Sequence, residues 1–354
     1  MLPRLTSVKK DENKTMNGHR CKICGSPLSL FVKSIFDDRH GYPGRFDIVR
    51  CSSCGFGQTV PEIPEDKISE LYTRYYPRRT IQVNDLKNRP SVVKSPGIRW
   101  WMGINNTAHY HVKKGSRVLD IGCGDCTSLR EIHSIGAEGY GIEPDHNVKQ
   151  MAEALGLNVH IGLYNEINFP DKYFDYITMS QVLEHIHQPV QYLSTLRKIL
   201  KDNGQVIIGV PNIDSRLRKK YRHRWLNWHV PYHINHFSRK SIGMLAERCG
   251  FCVRAIRTLT PNLWFELQIK LYKYPVCEGV KVPFLNGEEE PSSKNDKNIY
   301  SYGSLAFLIN KFKGKANKFF NLLHIGRIVL LRVFDSLGMG ESYLVFLEKN
   351  DRYL

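Results

Sequence analysis

The chain has 354 residues, of which 51 are Lys or Arg and 34 are Asp or Glu, so its formal net charge is +17. This length accommodates one large domain with a smaller one beside it and can bury a substantial core. The positive charge indicates an acidic partner such as a nucleotide, a phosphorylated glycan, a phospholipid surface or RNA. We expect neither a signal peptide nor a membrane span, because the sequence contains no apolar run of the required length.

Four of the nine cysteines lie in two CxxC pairs, each followed by a glycine: Cys21, Cys24, Cys51 and Cys54. Two such turns offer four thiolates at tetrahedral spacing, which is typical of a structural Zn²⁺ with a closed coordination shell. A redox pair or unligated thiols are the other interpretations. The spacing also favours a reducing, cytoplasmic location over a disulfide framework. A nucleic-acid-binding finger stays open because basic residues lie between the pairs: Lys33, Arg39, Arg45 and Arg50.

Changes in composition divide the chain into segments. We predict a disordered lead-in (1–20), a zinc ribbon (21–60), linker and covering helices (61–114), a cofactor-binding α/β core (115–262), a helical insertion (263–341) and a final strand with a tail (342–354). Apolar residues at helical spacing predict covering helices over residues 65–76 and 97–112. From residue 115 onward strands alternate with helices, which predicts a parallel sheet with right-handed crossovers. We predict that a helix begins at Pro144 and that Ser238 caps a helix over 239–249. The last two strands are predicted over 251–259 and 342–348.

The stretch from residue 118 to residue 126 organises this core. Apolar residues around Asp120 predict a buried strand, and Gly122 and Gly124 predict a tight turn into a helix. Glycines at such a turn let backbone amides approach a ligand at the helix N-terminus. A dinucleotide fingerprint needs a third glycine where Thr127 stands, and the acidic residues flanking the turn would repel a pyrophosphate. A cofactor with a cationic head, S-adenosylmethionine (SAM), therefore fits better than NAD.

Further cofactor contacts follow the next strands. The second strand ends at Glu143, 19 residues after Gly124, where a carboxylate can accept hydrogen bonds from both ribose hydroxyls. A helix cap or a surface group is the alternative role for this acid. The third strand is followed by Leu163, which offers apolar contact to an adenine. The fourth strand is followed by Gln181 and His185, and ligands of open α/β sheets bind at such carboxyl ends.

Residues 115–262 together resemble a class I SAM-dependent methyltransferase. Three motifs carry the resemblance: Phe174-Asp175, Val182-Leu-Glu-His185 and Gly209-Val-Pro-Asn212. It implies an α/β fold with a Rossmann-like sheet of seven strands, the last of them antiparallel. It also implies a SAM site. In this site Asp120, Gly122 and Gly124 hold the methionine end of SAM, Glu143 holds the ribose, and the residues from Gln181 to His185 lie beside the methyl group. The zinc ribbon in front resembles methyltransferases of bacterial sugar and surface-glycan pathways, whereas Leu163 departs from the adenine-binding acid of many relatives.

A basic and aromatic stretch, residues 216–238, follows the fifth strand at the ligand edge of the sheet. It predicts a lid with phosphate-binding arginines and stacking aromatics, and the candidate substrate-binding residues are Arg218, Arg222, Trp228, Tyr232 and His236. A solvated loop whose aromatics dock on the core is the alternative. Because histidine titrates near neutrality, we predict His233 as the general base for an acceptor hydroxyl, with His185 second. Either histidine could instead orient the lid or be a satisfied structural group.

The insertion contains a predicted amphipathic helix over residues 316–337. This helix packs on the sheet or on a second copy of the chain in a homodimer, or it lies on an anionic membrane surface on the cytoplasmic side. The last interpretation depends on nearby lysines: Lys311, Lys313, Lys315 and Lys318.

Three functions fit these features. The first is O-methylation of a sugar, a glycan or another small acceptor that bears phosphate or acidic groups, by in-line methyl transfer. The second is methylation of RNA, which the net charge and the ribbon would serve. The third is a non-catalytic SAM-binding scaffold that recruits partners through the ribbon and the terminal helix.

Overall fold

The computed structural model describes residues 15–64, 67, 70–71, 74–75, 84, 86, 91–162, 169–285 and 318–350. The large sheet is built from Arg117–Ile121 (β5), Glu138–Glu143 (β6), Asn158–Ile161 (β7), Phe174–Ser180 (β8), Leu200–Pro211 (β9), Phe251–Leu259 (β11) and Ser342–Lys349 (β12). Within the described residues it has seven strands in the order β11-β12-β9-β8-β5-β6-β7. Strand β12 runs antiparallel to both of its neighbours, and the pairs from β9 to β7 are parallel. The predicted α/β sheet with an antiparallel last strand is confirmed.

Helices follow the strands as the alternating pattern predicts. They are Pro96–Met102 (α1), Thr127–Ile135 (α2), Val148–Leu155 (α3), Pro189–Ile199 (α4), Arg216–Tyr221 (α5), Arg239–Arg248 (α6), Asn262–Lys273 (α7) and Lys318–Ser336 (α8). In α4 the buried residues Leu193, Leu196 and Ile199 recur every three positions, so they share one face. Ser238 caps α6 as predicted, because its hydroxyl accepts a hydrogen bond from the Ser241 amide at 3.0 Å.

The N-terminal region forms a second sheet that includes a strand from the lid. Its strands are Thr15–Arg20 (β1), Pro27–Phe36 (β2), Arg45–Cys51 (β3), Gly57–Val60 (β4) and Asn235–His236 (β10), in this order. Strand β10 pairs antiparallel with β4, with Asn235 opposite Gln58. The residues that meet here are 174 or more positions apart in the sequence. The ribbon and the lid are therefore parts of one sheet, which sequence patterns within either segment did not indicate.

Two predicted boundaries were wrong. The lead-in is shorter than residues 1–20, because Thr15–Arg20 pairs with β2. The covering helix does not run over 97–112, because α1 ends at Gly103, whose φ of +69° suits glycine and where a Cβ would lie 2.2 Å from the Thr260 carbonyl oxygen. Residues 108–111 form a separate 3₁₀ turn. Of the helix predicted over 65–76, the described positions 67, 70, 71 and 74 are helical and position 75 is a turn, and the others lie outside the described residues.

Helix α8 occupies the predicted place but presents a different face to the protein. Arg332 and Asp335 are buried and form an ion pair with a 3.2 Å N–O distance, whereas Val329, Leu330 and Val333 are about half exposed. Arg332 also donates to the Thr260 carbonyl. Arg332 holds the helix in place by donating to a carbonyl at the end of β11. The three apolar residues, which we expected on the packed face of the helix, face outward.

The segment between α8 and β12 anchors the lid through one buried carboxylate. Glu341 accepts hydrogen bonds from the Trp225 indole at 2.6 Å and from the Leu217 amide at 3.2 Å. Burial raises the pKa of Glu341 to about 7. The folded protein therefore takes up a proton on this side chain at a pH where the unfolded chain has already lost it.

We expect this group to make the folded state less stable as pH rises. Its folded pKa of about 7 exceeds its unfolded value of 4.5, so its contribution is complete below pH 4.5 and is lost as pH rises through 7. Glu341→Gln should flatten the fall in unfolding free energy across that window by about 3 kcal/mol or less, at 1.4 kcal/mol per pKa unit. Urea unfolding at several pH values measures this, with exposed Glu247→Gln as the control. Parallel pH profiles for wild type and Glu341→Gln would contradict it.

Candidate active site

The glycine turn at the end of β5 forms as the sequence predicts. Gly122 and Gly124 adopt φ angles of +72° and +56°, which residues with a Cβ rarely adopt. The Gly122 amide donates to the Ile142 carbonyl at 2.8 Å, which ties the turn to β6. A Cβ on Gly122 would lie 2.5 Å from a Val182 methyl, whereas one on Gly124 would meet no atom within 4 Å. Gly122 is therefore required by packing, and Gly124 borders open space that a ligand can use.

Asp120 lies behind this turn. Its side chain is buried, and it accepts a hydrogen bond from the Thr178 hydroxyl of β8 at 2.5 Å. Burial raises the pKa of this carboxyl, while nearby His109 favours its charged form. Asp120 thus couples β5 to β8 under the turn and lies below the predicted methionine end of SAM.

Glu143 ends β6 next to the same turn. Its carboxylate accepts hydrogen bonds from the Gly124 amide at 3.0 Å and from the Asp145 amide at 3.2 Å. These two bonds fix the Glu143 carboxylate at the end of β6, beside the glycine turn, where the sequence predicts the ribose of SAM. Leu163 lies outside the described residues. Gln181 adopts a φ of +59°, and its side-chain amide lies 3.5 Å from the Ser342 hydroxyl, so it reaches across the sheet.

Two histidines and a glutamate meet at the carboxyl end of β8. His185 Nδ1 lies 2.8 Å from the Tyr232 carbonyl oxygen, and His233 Nδ1 lies 2.9 Å from the Asn227 carbonyl oxygen. Because a carbonyl only accepts, each Nδ1 carries the proton and each Nε2 presents a lone pair. The ligand atoms of His185, His233 and Glu184 all lie within 4.8 Å of one another. We call these three residues the lid triad.

Burial sets the protonation of the lid triad. It lowers the pKa of His185 to about 4 and that of His233 well below the ordinary value, so both imidazoles are neutral at pH 7. Such imidazoles are weak bases, which does not favour the prediction that His233 or His185 removes a proton unaided. Burial raises the pKa of Glu184 to about 8. Neither carboxylate oxygen of Glu184 has a hydrogen-bond partner in the described part of the chain, and the neutral His233 ring places its Nε2 atom 3.9 Å from one of them.

The N-terminal sheet holds the loop that carries His233. The Thr59 hydroxyl donates to the His233 carbonyl at 2.6 Å, and the Thr59 amide donates to the Ile234 carbonyl at 3.1 Å. The His236 Nε2 atom lies 3.0 Å from the same hydroxyl, so it donates to that oxygen. A single threonine of β4 therefore fixes the backbone on either side of the lid triad.

The predicted substrate-binding residues fall into two groups. Trp228, Tyr232 and His236 are each 2% exposed and pack between the lid and the N-terminal sheet. Their burial here fits the interpretation of aromatics that dock on the core. Arg218 donates to the Ile213 carbonyl at 2.8 Å and is half-buried, whereas Arg222 is exposed.

The four cysteines of the ribbon come together as predicted. Their sulfur atoms lie within 4.8 Å of one another, with Sγ–Sγ distances of 3.5 Å for Cys21–Cys54 and Cys24–Cys51. The two turns match: the Gly25 amide donates to the Cys21 carbonyl at 2.8 Å, and the Gly55 amide donates to the Cys51 carbonyl at 2.9 Å. The glycines, with φ angles of +73° and +75°, let the chain close each turn.

Sequence reasoning did not single out Glu184 or Thr59. Glu184 stands beside His185 at a strand end, and that adjacency of an acid and a histidine was the available signal. Thr59 had no signal of its own, because its role depends on the pairing of β4 with the lid strand β10.

Residues 100–256 match a family model described as Methyltransferase domain. An uncharacterized protein of Methanocaldococcus jannaschii is 27% identical over 170 residues, covering 48% of this chain and 78% of that protein. The tRNA U34 carboxymethyltransferase of Aeromonas salmonicida is 25% identical over 228 residues, covering 59% of this chain and 66% of that enzyme. The demethylmenaquinone methyltransferase of Listeria monocytogenes is 33% identical over 105 residues, covering 27% of this chain and 44% of that enzyme. The chain thus spans less than two thirds of either named enzyme.

Solved structures were also compared. The complex between the Haloferax volcanii Trm112 methyltransferase activator and a methyltransferase aligns with a TM-score of 0.43 and 15% identity, covering 77% of this chain and 100% of that chain. A SAM-dependent methyltransferase from Archaeoglobus fulgidus aligns with a TM-score of 0.40 and 18% identity, covering 81% of this chain and 100% of that chain.

Three observations agree on the class of the protein. The family match contains the glycine turn, Glu143 and the lid triad. The sheet has the strand order and the antiparallel strand that the resemblance implied. Carboxylates surround the turn, which suits a cationic cofactor. The chain therefore carries a methyltransferase domain at residues 100–256, and SAM is the cofactor that suits this domain.

Proposed function

We propose that the protein O-methylates a sugar, a glycan or another small acceptor that bears acidic groups. The observation that carries this proposal is the lid triad, which presents two imidazole lone pairs and a carboxylate at the sheet edge beside the glycine turn. Val182, which packs against Gly122, precedes Glu184 by only two residues, so cofactor turn and triad are neighbours.

The residues present fit SAM. The open space beside Gly124, the Glu143 carboxylate and the buried Asp120 make a pocket that prefers positive charge. Bound SAM supplies a methyl group on a sulfonium. The acceptor oxygen forms the new C–O bond while the C–S bond breaks, and its proton leaves to a base or to solvent. Neutral imidazole Nε2 atoms can accept a hydrogen bond from the acceptor hydroxyl and so orient it for this in-line displacement.

We also propose that the four cysteines bind a structural Zn²⁺. Tetrahedral Zn–S bonds of about 2.3 Å place sulfurs about 3.8 Å apart, close to the observed arrangement. The shell is complete with four thiolates, so this ion would stabilise the ribbon and take no part in the reaction. A reducing, cytoplasmic location belongs to the same proposal, since it keeps the thiols available.

Methylation of RNA is the second candidate, because one relative carries a tRNA-modifying name and the chain is basic. The basic residues of the ribbon do not favour a nucleic-acid surface there. Arg45 pairs with Glu278 at 2.8 Å, Arg50 pairs with Asp214 at 2.7 Å, and Arg39 donates to the Leu226 carbonyl. Three of the four predicted contacts are thus engaged within the chain, and they hold the ribbon to the rest of the protein.

Association with an anionic lipid surface is part of the proposal for a lipid-linked acceptor. Among the described residues no helix is both long and apolar enough to cross a bilayer. On α8, however, Val329, Leu330, Val333 and Leu337 form an exposed apolar strip. The adjoining groove, of about 570 Å³, is lined by several cations: Arg216, Lys220, Lys273 and Arg327. Apolar area flanked by cations suits an anionic interface.

The paired glycines give a test of the cofactor site. Gly122→Ala should lower the melting temperature of the ligand-free protein more than Gly124→Ala, because only the first Cβ meets a side chain at 2.5 Å. Gly124→Ala should weaken SAM binding, because its methyl group enters the open space. Thermal unfolding and calorimetry measure the two effects. Equal SAM affinity in wild type and Gly124→Ala would show that the cofactor lies elsewhere.

A labelling experiment tests the activity itself. Purified protein is incubated with methyl-labelled SAM and fractionated cell extract, and the labelled product is identified. We expect label in a small-molecule or glycan fraction, lost in Glu143→Gln, whose SAM affinity should fall about tenfold or more with the loss of a charged acceptor. Exposed Glu138→Gln, at the other end of β6, should behave as wild type.

Each other outcome of this experiment selects an alternative. Label that is sensitive to ribonuclease would support the RNA methyltransferase instead. Tight SAM binding without label in any fraction would support the non-catalytic scaffold.

The lipid proposal predicts co-sedimentation with vesicles that contain anionic phosphatidylglycerol, and little with neutral phosphatidylcholine vesicles. Val329→Glu combined with Val333→Glu should abolish binding, because charges replace the apolar strip. Ser194→Glu, which adds a charge to the exposed side of α4, is the control. If the double variant instead converts a dimer to a monomer in sedimentation equilibrium, the strip is a homodimer contact and the lipid proposal fails.

A further inference from the structure

We infer that the lid triad of Glu184, His185 and His233 is a binding site for a divalent transition-metal ion, separate from the cysteine cluster. The three ligand atoms lie within 4.8 Å of one another and come from two segments that converge at the carboxyl edge of the sheet. The site joins the loop after β8 to the lid, so the ion would hold the lid against the core.

The state of the two imidazoles is the first observation. Each Nδ1–H is engaged by a backbone carbonyl, at 2.8 Å for His185 and 2.9 Å for His233. This arrangement fixes the tautomer and aims the Nε2 lone pair inward, as second-shell carbonyls do for metal-ligating histidines. His229 Nδ1 lies 3.4 Å from His233 Nε2, a long hydrogen bond that an ion would displace.

The second observation is Glu184. Its side chain is 0% exposed, and neither oxygen has a hydrogen-bond partner within the described residues. A buried carboxylate without such partners is unfavourable unless a cation compensates it. His233 Nε2 lies 3.9 Å from a Glu184 oxygen, and the proton of that ring, on Nδ1, is donated to the Asn227 carbonyl. A divalent ion between the three side chains would neutralise the carboxylate and use both lone pairs.

The ligand set determines the class of ion. Two imidazole nitrogens and one carboxylate oxygen suit Zn²⁺, Co²⁺, Fe²⁺ or Mn²⁺, with bonds of about 2.0–2.2 Å for zinc. Bringing ligand atoms from 3.9 Å apart to that geometry requires movements of less than about 1 Å. Three protein ligands leave positions open, in contrast to the closed shell of four cysteines.

The open positions give the ion a role that rests on the proposed O-methylation. An acceptor hydroxyl oxygen that binds there has its pKa lowered, so its proton can leave to solvent without a strong base. In this arrangement the imidazole nitrogens bind the ion, and the acceptor hydroxyl contacts the ion in place of the imidazoles. The preferred acceptor then carries two adjacent oxygen atoms, such as a vicinal diol or a hydroxy acid.

Cobalt binding tests the site directly in the full-length protein with its cysteine metal in place. We expect one equivalent of Co²⁺ to bind with the visible spectrum of nitrogen and oxygen ligands and without the thiolate-to-metal charge-transfer band of a cysteine site. Glu184→Gln and His233→Gln should each weaken this binding about tenfold or more, in line with the loss of one ligand. His187→Gln, a histidine two residues from His185 on the same loop, should bind Co²⁺ as wild type does.

Two further readouts keep the outcomes distinct. SAM affinity by calorimetry should be retained in Glu184→Gln, which shows that this variant is folded and that the cofactor site is intact. Wild-type protein that binds SAM but gives only a thiolate cobalt spectrum would overturn the metal site and leave the methyltransferase proposal standing. Loss of Co²⁺ binding in His187→Gln to the same extent would overturn it as well, because the effect would not be specific to the triad.

Discussion

The contact between Thr59 and the lid is the interaction on which the arrangement of the site depends. One hydroxyl binds the His233 carbonyl and the His236 ring, and the neighbouring backbone pairs β4 with β10. These contacts lie in a protein interior, where a hydrogen bond left without its partner costs about 1–3 kcal/mol. The lid therefore cannot move away from the sheet edge without also breaking contacts to the N-terminal sheet.

This coupling gives the ribbon a function beyond its own folding. The Ser238 hydroxyl donates to the Cys54 carbonyl at 2.7 Å, Arg248 donates to the Ile23 carbonyl, and Phe56 packs against Phe237. A metal in the cysteine cluster would thus order the turns on which the lid and α6 rest. In the proposed enzyme, the closed cysteine cluster would hold the structure, and the open lid triad would contact the acceptor.

The sequence predicts best those structural features whose determining residues lie close together in the chain. Strand β11 was predicted at its observed bounds, and β12 within one residue, because β-rich runs flanked by glycine or proline specify their own ends. The glycine turn and the cysteine pairs were also predicted, because each is specified by a few residues that lie close together in the chain. Helix α3 begins at Val148 and not at Pro144, because Asp145 first closes a turn by accepting from the Asn147 amide.

The parts that could not be predicted depend on distant contacts. The polarity of α8 suggested that its apolar face packs inward. The Arg332–Asp335 pair is buried instead, because Arg332 donates a hydrogen bond to a backbone carbonyl at the end of β11. The aromatics of the lid suggested stacking on a substrate, yet Trp225 and Trp228 form a core with Phe46 and Ile48 of the N-terminal sheet. No pattern within a single segment reports such a partner, so only the tertiary structure could assign these residues.

The distribution of charge explains why a basic protein holds its acids at the centre. The described arginines of the ribbon are paired with acids or carbonyls of the chain itself, so part of the positive charge stabilises the join between the two sheets. Three acids of the domain core lie along the sheet edge: Asp120 under the glycine turn, Glu143 at the edge of that turn and Glu184 beside the imidazoles. Buried carboxylates are costly unless a cation or strong donors compensate them. In the proposed enzyme, this row of acids along one sheet edge would be the protein's half of a set of charge pairs, with the sulfonium of SAM at one end and the proposed metal ion at the other.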